Sequence, residues 1–77
     1  MAITQQELGK RIRAAREANR MTQDDVARHL GVSRPTVGQI EAGNRTISSL
    51  ELDKLAYLFG RDIREFIADS FQEEDAL

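Results

Sequence analysis

The 77-residue chain predicts an all-α fold of five short helices around one core, and three observations predict it. All five proposed helix starts carry a Ser, Thr or Asp whose side chain can accept an orphan backbone amide, and three of these have Glu three residues later. Apolar residues recur at three- and four-residue spacing, which gathers them on one side of a helix. No segment alternates apolar and polar residues over a strand's length, and neither an internal repeat nor a low-complexity tract competes.

Thr4-Gln-Gln-Glu7 forms the first capping box and opens helix 1, which runs to about Ala18. Leu8, Ile12 and Ala15 make its apolar stripe, with Lys10, Arg11 and Arg13 away from it. Thr22 begins helix 2, with Asp24 and Asp25 in the first turn, where carboxylates complement the positive end of the helix dipole. Val26, Ala27 and Leu30 form its buried face, Gly31 supplies a left-handed residue for a tight turn, and Val32 fills the corner. Ser33 caps helix 3, with Pro35 in the first turn, where a missing N–H costs little. Proline also disfavours helical geometry at Arg34, which leaves the start open by one residue. Val37 and Ile40 give helix 3 its inward side, and Gly43 closes it.

After a loop from Gly43 to Ile47, Ser48-Ser-Leu-Glu51 opens helix 4, which runs through about Phe59 and buries Leu52, Leu55, Ala56 and Phe59. Asp62-Ile-Arg-Glu65 repeats the pattern for a short helix 5, with Ile63, Phe66 and Ile67 as its apolar members. Residues 1–71 form one domain, and the acidic stretch 72–77 reads as a fraying tail or the start of a linker.

A chain of this size holds one modest core, and it has no Cys and a single His, so helix packing must supply its stability. The absence of thiols and of a leader suits a reducing cytoplasm, and no apolar run approaches the roughly 20 residues of a membrane span. His29 lacks neighbours at metal-ligand spacing and reads as a surface or capping residue. No HExxH, glycine-rich phosphate loop or nucleophile–base pair appears, so neither catalysis nor a cofactor is expected.

The formal net charge of −2 conceals two unlike halves. Residues 1–45 hold eight Lys/Arg against five Asp/Glu, a net of +3, while residues 46–77 hold three against eight, a net of −5. Such a division can aim a basic side at a polyanion; ordinary solvated helix faces are the alternative.

From Gln23 to Glu41 the spacing is more informative than any residue type. Ala27 lets two helices cross closely, Gly31 permits the turn, and Val32, Val37 and Ile40 seal the angle, so helix 3 protrudes. Its outer positions, Arg34, Pro35, Thr36, Gly38 and Gln39, form a polar, short-chained surface fit for a groove about 12 Å wide. This pattern, MTQDDVARHLGVSRPTVGQIEAGNRTISSLELDKLAYLFG, resembles the phage-repressor-type (Cro-like, XRE) helix-turn-helix family over about residues 5–68.

The resemblance implies a lambda-repressor-like fold, with the helix-turn-helix at helices 2 and 3 and a sequence-specific, double-stranded-DNA-binding transcriptional regulator, of repressor type, as its function. It implies Arg34, Pro35, Thr36 and Gln39 as base readers. The chemistry agrees, since Arg donates twice to guanine, Gln pairs with adenine, and Pro35 or the Thr36 methyl can touch a thymine methyl. Pro35 is explained equally well by helix initiation. By the same resemblance Thr22, Gln23, Ser33, Asn44, Arg45 and Arg13 contact the DNA backbone, plain solubility being their alternative. Arg16 and Glu41 match a structural ion pair between helix 1 and the end of helix 3.

Arg20 departs from the family's common glycine between helices 1 and 2, so Asn19 or Arg20 is expected to be left-handed. Gly38 departs by thinning the recognition surface, either for close approach to DNA or through local drift. Modules of this kind bind palindromic operators as homodimers with half-sites about 34 Å apart. Phe66, Ile67 and Phe71 offer apolar surface for that contact, with a core role as the alternative. Neither a membrane nor a small-molecule ligand is expected.

TISSLELDKLAYLFGRDIREFI also resembles regulators in which such a domain precedes an IrrE/ImmA-type zinc peptidase, making the chain the DNA-binding part of a longer protein. Restriction-modification controllers and antitoxins of similar length fit as simply. A helical protein–protein interaction module that never touches DNA is the rival from another class.

Overall fold

The computed structural model describes residues 3–68, among which all the regular structure is helical. The helices are α1 (Gln5–Ala18), α2 (Gln23–Leu30), α3 (Arg34–Glu41), α4 (Ser49–Phe59) and α5 (Arg64–Ile67). Side-chain caps start four of them. Thr4 accepts the Glu7 amide, and Ser33 accepts that of Thr36. Thr22 with Asp25, and Ser48 with Glu51, form complete reciprocal boxes. Helix 3 therefore starts at Arg34, with Pro35 second, where its missing N–H leaves no gap in the hydrogen-bond ladder.

The helix ends are equally legible. Gly31 adopts φ +72°, and the Val32 amide donates to the Ala27 carbonyl oxygen at 3.0 Å, so α2 and α3 meet through a tight left-handed turn. After α3, the Asn44 amide donates to Gln39 at 2.9 Å and that of Gly43 to Ile40 at 3.1 Å, with Gly43 at φ +81°.

One cluster forms the core: Leu8, Ile12 and Ala15 from α1, Val26 and Ala27 from α2, Val37 and Ile40 from α3, Leu52, Leu55, Ala56 and Phe59 from α4, and Phe66 from α5. These include every apolar side chain expected from helices 1, 3 and 4. Leu30 and Val32 are half-buried against the cluster, and Ile47 enters the core from the loop before α4. The helical pattern offered no signal for Ile47.

Two differences from expectation concern α5. It is a single turn of four residues. Glu65 returns to the Asp62 amide at 2.9 Å as a capping box requires, but the Asp62 carboxylate takes the Arg64 amide, two residues on, instead of the third. Phe66 also leaves the proposed dimer surface, because its ring is 2% exposed and sits 6.4 Å from that of Phe59. One turn cannot turn three apolar side chains the same way, so Phe66 enters the core while Ile67 stays 49% exposed. Phe71 and the acidic stretch 72–77 lie outside the described residues.

Candidate nucleic-acid interface

Helix 3 stands on its inward residues. Val37 and Ile40 are buried and hold its axis against α2 and α1, while Arg34, Pro35 and Gln39 are exposed and Thr36 and Gly38 are half-exposed. Periodicity explains the division, since Pro35 and Gln39 are four residues apart and lie opposite the Val37–Ile40 seam. Among the described residues Arg34 has no ion-pair partner, and the Gln39 amide makes no hydrogen bond. The Thr36 hydroxyl pairs with that of Ser33 at 2.9 Å. All four expected base readers thus share the outward side of one short helix.

The end of α3 is tied to its neighbours through Glu41. Arg16 donates from Nε to Glu41 Oε2 at 2.7 Å and from Nη2 to Oε1 at 3.2 Å, a bidentate pair, while its Nη1 donates to the Met21 carbonyl at 2.9 Å. Both side chains are largely buried. The hydrogen bonds to Glu41 hold the Arg16 guanidinium further above its ordinary pKa. Gln23 adds a third bond, from Nε2 to Glu41 Oε1 at 3.1 Å. Three hydrogen bonds from these two side chains hold the buried Glu41 carboxylate away from the outward side of α3.

Gly9 makes this arrangement possible. A Cβ there would lie 2.5 Å from the Ile40 carbonyl oxygen and 2.8 Å from the Glu41 carbonyl carbon, so only a glycine lets α1 cross the α3 backbone this closely. Sequence reading left Gly9 unassigned. Its one signal was a residue of poor helix propensity inside an otherwise well-capped helix.

The expected backbone contacts divide into free and engaged groups. Asn44 is exposed just beyond the α3 terminus. Thr22 and Ser33 are exposed, but their hydroxyls serve as caps. The Thr22–Asp25 box occupies the Thr22 and Asp25 amides, whereas those of Gln23 and Asp24, first in the helix, have no intrahelical acceptor. Arg13 is exposed on α1 and donates from Nε to Glu17 at 3.2 Å. Arg45 is half-exposed, 3.8 Å from Glu51, with its buried Nη1 lacking a hydrogen-bond partner among the described residues. The Gln23 amide is the principal surprise, because it is a structural tie to Glu41 as well as a surface group.

Arg11 shows a role that its sequence position concealed. It reaches from α1 to the end of α5, donating from Nη1 to the Phe66 carbonyl at 3.2 Å and also to that of Ala68. A cation there satisfies carbonyls that a one-turn helix leaves orphaned. Neither His29 nor any other described residue belongs to a group of three or more side chains able to hold a metal ion. No described helix is long and apolar enough to cross a membrane.

The decisive comparison is with the HTH_3 helix-turn-helix family, which matches residues 12–66. The chain belongs to this family. HTH_3 proteins are DNA-binding transcriptional regulators of the XRE type, and the match takes in the α2–α3 unit with the helices around it. Among solved structures, the restriction-modification controller protein C.AhdI from Aeromonas hydrophila is 32% identical, with a TM-score of 0.74 over 80% of this chain and 94% of that one. The clp gene regulator ClgR from C. glutamicum gives 0.75 at 22% identity over 83% of each chain. A hypothetical transcription factor, NHTF, from Neisseria gives 0.79 at 19% identity over 97% of this chain and 86% of that one. The last two likenesses concern the fold alone. No curated protein matches the chain.

Proposed function

We propose that this HTH_3 domain acts as a repressor by placing α3 in the major groove of a palindromic operator, as a homodimer, with Arg34, Pro35, Thr36 and Gln39 at the base edges. The observation that carries this reading is the outward side of α3, where the Arg34 and Gln39 side chains are exposed and have no ion-pair or hydrogen-bond partner among the described residues, while Val37 and Ile40 anchor the helix from beneath. An unpaired guanidinium matches guanine O6 and N7, and a free carboxamide matches adenine N6 and N7. Thr22, Gln23, Ser33, Asn44, Arg45 and Arg13 supply contacts to the flanking phosphates, setting register without reading sequence. The protein works in the cytoplasm at the nucleoid by occupancy, without a cofactor or chemistry of its own.

A single α3 of eight residues reads few bases, which favours twofold pairing of domains. The exposed Ile67, beside the end of α5, remains of the surface proposed for that pairing within the described residues.

Selection of bound duplexes from a random DNA pool tests the reading. Two inverted half-sites about 34 Å apart are expected. Arg34→Ala and Gln39→Ala should each relax preference at one base pair per half-site, at a cost of about 1–3 kcal/mol. An unchanged preference in both variants would overturn the assignment of readers, and a single unpaired half-site would overturn the dimer.

A further inference from the structure

Gly38 lies in the middle of α3, where glycine is a poor helix former, and the fold of the protein alone does not require it. Its φ is not left-handed, and a Cβ built there meets nothing closer than the Gln23 side chain, at 3.8 Å from Nε2 and 3.9 Å from Oε1. Those are ordinary contacts, in contrast to Gly9 and Gly43, where an added Cβ would come within 2.7 Å of backbone atoms. The free domain therefore has room for a methyl group at position 38 and would gain helix propensity from it.

The neighbours of this gap show what it opens onto. Gly38 is one residue, about 100° around the helix, from buried Val37, on the flank of α3 that faces the start of α2. Thr36 occupies the opposite flank. Gln23 lies at the floor of the crease so formed, with one Nε2 hydrogen committed to Glu41 and the rest of its amide not hydrogen-bonded to described residues. The first amides of α2 stand beside it without intrahelical acceptors.

We infer that Gly38 is an access residue, which keeps the crease between α2 and α3 open so that a sugar-phosphate strand can seat in it and reach the Gln23 amide. This rests on the reading of α3 as the groove-entering helix. Because the crease faces backbone rather than base edges, filling it weakens binding without changing which sequence is preferred.

Gly38→Ala tests the inference, with the selected operator and a mismatched duplex as probes. The variant should melt about 4–8 °C higher than the wild type, which shows that it folds. It should bind both duplexes about tenfold more weakly, the loss expected for one charge-assisted contact. In a Gln23→Ala background the same substitution should cost much less, since both changes act on one contact. Wild-type or tighter binding by Gly38→Ala, a loss confined to one base pair, or full additivity with Gln23→Ala would each overturn the inference. Arg34→Ala separates the two levels. If it changes base preference while Gly38→Ala binds normally, only the access role fails; if neither substitution affects binding, the groove-entering reading fails with it.

Discussion

Arg20 carries φ +56° at the end of α1, the only non-glycine left-handed residue among those described. The Met21 amide donates to Arg16 at 3.1 Å and that of Arg20 to Glu17 at 2.9 Å, so the chain makes the turn that glycine usually serves. A Cβ in this conformation costs about 1–2 kcal/mol, partly offset by glycine's greater entropy when unfolded. Arg20→Gly is expected to raise stability by about 0.5–1 kcal/mol, seen as a melting temperature several degrees higher. An unchanged or lower value would show that the Arg20 side chain contributes more than its backbone costs. This strain was legible in the sequence, which narrowed it to two adjacent residues. The choice between Asn19 and Arg20 waited on the hydrogen bonds, because the Asn19 side chain bonds back to the Ala15 carbonyl at 2.8 Å and Asn19 itself keeps a negative φ of −92°.

At the scale of elements, α3 is positioned by one carboxylate that three helices share. Glu41 on α3 receives Arg16 from α1 and Gln23 from α2, and it is only 8% exposed. Glu41→Ala strands the Arg16 guanidinium among buried groups, and a loss of about 3–5 kcal/mol is expected in chemical denaturation. DNA affinity should fall with it at temperatures where the variant is partly unfolded and recover on cooling. A stability change below about 1 kcal/mol would mean that water reaches Arg16 and screens it. The caps of α1 to α4 were readable because capping is local chemistry within a few residues of one chain. The α5 cap was only half readable, because the Asp62 carboxylate is drawn to Arg64, whose guanidinium also donates to it at 2.7 Å.

Over the whole molecule, acid should unfold this protein through carboxylates held by caps and cations. Hydrogen bonds from the Arg64 side chain and amide lower Asp62 from the ordinary 3.8 to about 2. The Thr22 amide and hydroxyl lower Asp25, and the Ser48 amide lowers Glu51. A carboxylate with a depressed folded-state pKa stabilises fully above its unfolded value and loses that contribution as pH falls through the folded one. Melting temperature should thus hold steady from neutrality to about pH 4.5 and decline from there to about pH 2. A flat profile across that range would show that these caps persist when protonated. The unequal charge of the two halves belongs to this scale as well, since the excess of positive charge in residues 1–45 covers the segment that contains α2 and α3.

By itself the sequence determined the five helices, the left-handed turn at Gly31, the amphipathic faces and the outward side of α3. Each of these depends on neighbours within about four residues, where propensity, capping and periodicity act. Tertiary structure alone decided that Phe66 is core, that Ile47 joins it, that Arg11 caps α5, and that Gly9 has no room for a side chain whereas Gly38 has. Those outcomes depend on which backbone another helix brings within van der Waals reach. Contact between residues 9 and 41, or 11 and 68, leaves no periodic trace in the chain that makes it.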